Sequence, residues 1–462
     1  MKEFDSELTS GSIFRSVWKL AWPVILLQLI SGIHGFVAQS MVGRHVGPEA
    51  SAAIGVAWQL FLVMVVFISS LFQGLGVLVA QYTGKNDRAT VNRVTYDVFL
   101  ACFYIFIFIA APFGYFTAPY LLGFMEQEPE VVALALPYLR ILFTASAPMF
   151  MIFMLNNALQ AAGDPRTPLI LGVMTTILNI VFSSVLIVGF GPIPSLGANG
   201  AALGTVLGPV PSVIVAMVMI MRRRMVLGPP DKFRLIPDMS VIRAVARIGI
   251  PTGIQAVVLN VGGVLLLRFI GSLDQSVAAT AAYTICYTQL FSFVTWASFG
   301  LRASASTIMG QNIGAGKPAR GKRGVYIATG IAIAWSGIWA IVYTVFPQRL
   351  LSMFGVLDGA EVYVISRDLL SYLAISGFFV SSALAITGGL QGAGDTKKPM
   401  YVAIVTQIFV LLGICFALEQ MDMLAPHTIW MAILVSHVTR LALTWWLFFS
   451  GDWAHLKIEL GH

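Results

Sequence analysis

A ten-residue segment of this chain occurs twice. Leu159-Gln160-Ala161-Ala162-Gly163-Asp164-Pro165-Arg166-Thr167-Pro168 returns as Leu390-Gln391-Gly392-Ala393-Gly394-Asp395-Thr396-Lys397-Lys398-Pro399, an offset of 231 residues. Pro23 and Pro251 keep nearly the same spacing, as do Gln81-Tyr82-Thr83-Gly84-Lys85 and Gln311-Asn312-Ile313-Gly314-Ala315. Any fold for this sequence must therefore be two copies of one unit. The solvent of that unit follows from composition: 58% hydrophobic residues, 11% charged residues and a mean hydropathy of +0.84 exceed what one water-soluble core buries. Apolar runs of about 20 residues recur along the whole length, the length a bilayer span requires.

Divided at charged residues and Gly/Pro breaks, the runs predict helices over 15–41, 50–82, 90–113, 130–161, 167–188, 199–223, 242–271, 276–313, 322–346, 361–391, 400–418 and 427–450. Helices are expected rather than a barrel because the runs are continuous instead of alternating, and backbone groups in lipid must pair within their own segment. The fold class is an all-α polytopic membrane protein, with twelve transmembrane helices in two six-helix lobes. An even number of spans per copy sets both copies in the same orientation, so the internal repeat is a parallel one. Residues 1–224 form the N-terminal lobe, 242–462 the C-terminal lobe, and 225–241, which hold Pro229, Pro230 and Pro237, a cytoplasmic linker.

Alternation of the spans gathers Arg15, Lys19, Lys85, Arg88, Arg93, Arg222, Arg223, Arg224, Lys317, Arg320, Lys397 and Lys398 on one side. The opposite loops hold Arg44 and Arg349, with Arg268 and Arg367 near helix ends. Both termini of this multi-pass membrane protein are thus expected in the cytoplasm. The net charge of +7 is this topological bias; no basic block interleaved with stacking aromatics marks a nucleic-acid partner. Glu3, Asp5 and Glu7 ahead of the first run argue against a cleaved signal. Cys102, Cys286 and Cys415 fall inside apolar runs without CxxC spacing, so they are read as packing residues, and no metal or cofactor is expected. Neither HExxH, a nucleotide loop nor paired carboxylates is present, which sets a membrane enzyme aside.

Three motifs then carry a resemblance over nearly all 462 residues. They are Val42-Gly43-Arg44-His45-Val46-Gly47-Pro48-Glu49-Ala50, Gly310-Gln311-Asn312-Ile313-Gly314-Ala315-Gly316 and the doubled Leu-Gln-x-Ala-Gly-Asp. The chain resembles the multidrug and toxic compound extrusion (MATE) family. The resemblance implies a two-lobe antiporter, sufficient as a single chain, that expels small organic compounds in exchange for protons or sodium. It also implies acids where this sequence has none. Family members commonly carry an Asp at the position of Ala38 and a second acid at that of Ser183, while the neutral partners Asn179 and Thr205 match. The acids that some members hold in helices seven and ten fall near Asn260 and Val380. Sodium sites want several oxygens and usually a compensating carboxylate, so protons are the better-supported coupling ion.

Among intramembrane titratable groups, His34 lies one turn before Ala38 on the same helical face and is the leading proton-carrier candidate; the alternative is a neutral histidine bonded at a helix interface. Asp97 is the other coupling candidate, with a local pair to Arg93 at i,i−4 as its alternative. Arg302, with no acid nearby in sequence, is expected to line the substrate cleft with Gln28, Gln255 and Asn260, or else to bond structural carbonyls. Arg140 and Arg440 are read as structural, lying near helix ends or snorkelling to them. Pro23 and Pro251 are either helix-bending points or first-turn prolines, and Asp164 and Asp395 cap cytoplasmic turns. An exporter or flippase of an anionic or lipid-linked metabolite is the alternative to an exporter of amphipathic compounds.

Overall fold

The computed structural model describes residues 3–45, 48–125, 129–192, 194–356 and 358–456; the side chains of 31–45, 48, 49, 51, 52, 124 and 455 also lie outside the described set. Every regular element among the described residues is a helix. The long ones are α1 (Ile13–His45), α2 (Pro48–Gly84), α3 (Arg88–Gly123), α4 (Pro129–Ala145 and Ala147–Ala161), α5 (Arg166–Val188) and α6 (Gly197–Met221). After a non-helical stretch come α7 (Met239–Gly271), α8 (Ser276–Gly314), α9 (Pro318–Val345), α10 (Glu361–Gly392), α11 (Lys397–Gln420) and α12 (Pro426–Ser450). Eleven are long and apolar enough to cross a bilayer, and α4, whose two parts meet at 50°, makes a twelfth when taken as one span. The chain is a polytopic helical membrane protein.

Three of the differences from the expected boundaries have a local reason that the structure shows. The predicted helix 130–161 breaks at Ser146, because Pro148 at the start of the second part has no amide to return to the carbonyl one turn earlier. The helix predicted to end at 113 continues to Gly123 through a π turn at Phe106–Ala110; the Ala111 amide bonds back to the Phe106 carbonyl, and Pro112, lacking an amide, follows. The helix α7 begins at Met239 rather than 242, since the Asp238 carboxylate accepts from the Ser240 amide at 2.9 Å and hydroxyl at 2.7 Å.

The repeated segment is turn punctuation. Gly163 and Gly394 take φ values of +90° and +95°, the left-handed region that a Cβ disfavours. Asp164 then accepts from the Thr167 amide at 3.1 Å and hydroxyl at 2.7 Å, and Asp395 from the Lys398 amide at 3.3 Å. In both copies the carboxylate satisfies donors that the start of a helix leaves free.

The Cα trace groups into two compact units, and the division does not fall at the 222–238 stretch, which lies wholly within one of them. One unit is Leu26–Gly253; the other joins Ser6–Ile25 to residues from Ile254 onward. The helices α1 and α7 thus each pass from one unit to the other, and both do so two residues after the repeated prolines, Pro23 and Pro251. The entering halves are tightly seated. In the first unit a side chain at Gly253 would meet Ser70 Oγ at 2.7 Å, and one at Gly249 the Leu71 Cα at 2.8 Å. In the second, a side chain at Gly300 would meet Ile25 at 3.0 Å. Ser70–Gly253 and Gly300–Ile25 are the same contact in the two copies, with the glycine on opposite partners.

Side chains also clamp the segments that lead into these helices. In the second unit the Asn312 amide donates to the Leu8 carbonyl at 3.2 Å and Arg320 to that of Gly11 at 2.6 Å, with Leu8 fully buried. In the first, the Gly228 amide donates to Asn92 at 2.9 Å, and the Tyr96 and Tyr104 hydroxyls donate to the carbonyls of Arg234 and Leu235. The Gln311-Asn312 motif of the sequence thereby acquires a structural use.

Candidate functional site

In the first unit the expected ligands Asn179 and Ser183 lie on α5, one turn apart and both buried. The Ser183 hydroxyl donates to Asn179 Oδ1 at 3.2 Å. They face a stripe of small residues on α6: a side chain at Gly208 would meet Asn179 Cα at 2.8 Å, one at Gly204 the Ser183 Oγ at 2.1 Å, and one at Gly200 the Leu186 carbonyl at 2.4 Å. Further along, Thr175 donates to Ser212 Oγ at 2.7 Å. This is a small-residue seam of the kind that lets membrane helices approach backbone to backbone. Thr205 spends its hydroxyl on the Ala201 carbonyl at 3.0 Å. The seam is neutral: it relays hydrogen bonds, but supplies no carboxylate to compensate a cation held in low dielectric. The side chains of His34 and Ala38 lie outside the described residues; Gln28 is half-buried.

Asp97, the second coupling candidate, is buried on α3 and sits 3.9 Å from Arg93 Nε. Its Oδ1 accepts from the Asp238 amide at 3.3 Å, and Arg93 in turn donates to the Asp238 carboxylate. Asp238 lies outside the spans. Its bonds from the Ser240 hydroxyl and amide, then from Arg93, hold its carboxyl down at about 2. The Arg93, Asp97 and Asp238 cluster thus fastens the stretch ahead of α7 onto α3.

In the second unit Gln255 is buried and accepts from Gln391 Nε2, in the repeated motif, at 3.2 Å. Asn260 is exposed and returns its amide to the Ala256 carbonyl at 2.9 Å. Arg302 lies beside the Phe299 ring, 5.4 Å from its centroid, with its Nε unpartnered, while its backbone is pressed against Gly388, where a side chain would meet the Arg302 carbonyl at 2.1 Å. Arg140 stands 4.3 Å over the ring of Tyr115.

Arg440 departs from the reading of a residue near a helix end. It is ten residues inside α12 and turned inward, donating from Nε to Thr406 Oγ1 at 3.2 Å and from a terminal nitrogen to Gln407 Oε1 at 3.1 Å. Gln407 is seated against Gly262 of α7, where a Cβ would fall 2.2 Å from Gln407 Cγ. Sequence reasoning passed over Thr406-Gln407, although two adjacent polar residues within an apolar run were the available signal.

The MatE family model matches residues 23–185 and 251–417, one stretch in each half of the chain. The chain belongs to the MatE family. MatE proteins are transporters rather than enzymes, and the two relatives that follow are bacterial. It is 26% identical over 421 residues to the probable multidrug resistance protein YoeA of Bacillus subtilis (strain 168), covering 91% of this chain and 90% of that protein. It is 25% identical over 446 residues to the probable multidrug resistance protein NorM of Thermotoga maritima, covering 96% and 93%. Among solved structures, an outward-facing multidrug resistance MATE family transporter of the MOP superfamily superposes with a TM-score of 0.89 at 16% identity over 98% of both chains. A MOP superfamily transporter from Pyrococcus furiosus, described by a reverse polarity of its binding pocket, gives 0.88 at 16% identity over 98% of both chains. At that identity the likeness speaks for the fold, and it is the two-lobe fold expected from the repeat.

Proposed function

We propose that this MatE chain exports amphipathic organic compounds across a bacterial inner membrane by alternating access, in exchange for protons. The supporting observation is the full-length similarity, in both halves, to bacterial relatives named multidrug resistance proteins. The moving bodies in this reading are the lobes 1–224 and 242–462, joined by a cytoplasmic linker at 225–241, with both termini cytoplasmic. The entering halves of α1 and α7 travel with the opposite unit. Pro23 and Pro251 then serve as the bending points, since both lie where a helix changes unit. Pro23→Ala and Pro251→Ala should slow transport more than they weaken substrate binding; equal losses in both would refute the hinge.

Protons are preferred to sodium because the Asn179–Ser183–Thr205 seam is neutral, and no group of three His, Cys, Asp or Glu side chains suited to a metal occurs among the described residues. His34 is the proton carrier in this reading. Efflux of ethidium from proteoliposomes, under separately imposed proton and sodium gradients, tests the coupling: acceleration by protons alone supports it, and acceleration by sodium refutes it. His34→Gln should abolish pH-driven transport while substrate binding stays measurable. Full activity in that variant would exclude His34.

A second reading, export of an anionic or lipid-linked metabolite without carboxylate-based coupling, is favoured by one observation. Arg302 has no acidic partner among the described residues.

A further inference from the structure

The second unit holds two wide helical turns, a π segment of α8 at Thr284–Leu290 and one of α11 at Val405–Leu412, and the latter packs against α12. Such segments are rare and recur at functional sites, because the wide turn displaces side chains and leaves carbonyls available. Here the Thr406 carbonyl accepts from Ser436 of α12 at 2.8 Å, and Thr406 and Gln407 are presented to Arg440. On the other flank, Tyr283 stacks on Trp430 and Phe291 on His437. Between them Tyr287, in the α8 π segment, lies 4.9 Å from the Tyr283 ring and 5.6 Å from that of Phe291.

A guanidinium has five N–H donors, and Arg440 uses two of them, both on neutral oxygens. No carboxylate partners it among the described residues. One turn before it on the same face, His437 is 5% exposed with Nδ1 lacking any hydrogen bond. Arg440 is 14 residues from the first residue of α12 and ten from the last, or about 21 and 15 Å at about 1.5 Å per residue. At mid-span, bilayer headgroups are beyond its reach, so a phospholipid phosphate is not its partner. The same unit holds Arg302, also without an acid. Two guanidinium groups with no acidic partner, one beside an orphaned imidazole, make an interior short of negative charge.

We propose that Arg440, with His437 one turn away, is a recognition site in the second unit for a carboxylate or sulfonate group of the exported compound. The planar fork of an arginine suits such a group, and its three unused N–H donors are available for it. The assignment rests on the reading of the chain as an exporter.

The test uses purified full-length protein and two dyes with one xanthene scaffold, anionic fluorescein and cationic rhodamine 123, with binding followed by fluorescence anisotropy. Wild type should bind fluorescein, and the ratio of fluorescein to rhodamine 123 affinity should fall at least tenfold in Arg440→Gln. Gln407→Glu, which gives Arg440 a carboxylate in place of an amide and keeps the pairing geometry, should produce the same fall even if Arg440→Gln proves unstable. Arg440→Lys, which keeps the charge but not the fork, should fall between. A wild type that fails to bind fluorescein, or a ratio within twofold of wild type in Gln407→Glu, overturns the proposal. Rhodamine 123 export by wild-type proteoliposomes reads the exporter assignment separately: export without fluorescein binding removes the anion site alone. Arg440-dependent fluorescein binding with export of neither dye removes the exporter reading alone.

Discussion

Adding one methyl group at Gly204 asks whether the Asn179–Ser183 seam is packing or an open ligand cage. In Gly204→Ala the new Cβ would lie 2.6 Å from both Cα and N of Ser183 and 2.1 Å from its hydroxyl oxygen. Ordinary contact begins near 3.4 Å, so α5 and α6 must separate by about 0.8 Å at this point, and overpacking of this sort costs about 1–3 kcal/mol. The side-chain clash can be relieved but the backbone clash cannot. Ser183→Ala alone should therefore cost only its bond to Asn179, about 0.6 kcal/mol by the average for membrane interiors. Ser183→Ala added to Gly204→Ala should restore nothing. Thermal unfolding in detergent of the four proteins measures the cycle. A Gly204→Ala protein that melts with the wild type, or one rescued by Ser183→Ala, would show that the seam has room at its centre and that its small residues are not there for close approach.

Two further outcomes are expected. Asp238, held at about 2 by Ser240 and Arg93, binds fewer protons folded than unfolded, where a carboxyl titrates near about 3.9. Its stabilisation is thus complete above about pH 5 and is lost as pH falls towards about 2, so the melting gap between wild type and Asp238→Asn should be constant above that range and narrow below it. A gap independent of pH would refute the assignment; added salt should shrink the gap, because Arg93 is half exposed. Separately, Gly388→Ala should lower the melting temperature, since its Cβ would meet the Arg302 carbonyl at 2.1 Å, whereas Gly330→Ala on α9, with nothing within 4 Å, should raise it or leave it unchanged. Equal responses at the two positions would mean that α8 and α10 tolerate separation.

What a single sequence discloses here follows from the range of the forces involved. Apolar length and Gly/Pro punctuation are local, so the spans and the left-handed Gly163 and Gly394 were readable in the chain. The 50° break at Ser146 has a readable cause in Pro148, but the apolar run continues through it and masks the break. The crossing of α1 and α7 between units was not readable, because it depends on what a helix half packs against. Only the spacing of Pro23 and Pro251 hinted at it. The π segment of α11 depends in the same way on Ser436, which is 30 residues from the carbonyl it engages.

The polar side chains within apolar runs show why the candidate site was the least readable part. In a medium without water each donor and acceptor needs a protein partner or a ligand, so a polar residue's role is set by how its bonds are distributed rather than by its identity. Asn312 is anchored by the Leu8 carbonyl and by that of Ile308 at 2.8 Å, and Gln255 by Gln391. The bonds to Leu8 and Gln391 join separate helices of the second unit, and no spacing in the sequence announces them. Arg440 also has partners, but they are neutral, and they leave both its charge and three of its donors unanswered. Its partners on α11 lie 33 and 34 residues away, beyond any spacing rule for one helix. Arg440, expected from the sequence to be structural, thus keeps three donors free, whereas Gln255 spends its oxygen on Gln391 and Asn260 its amide on the Ala256 carbonyl.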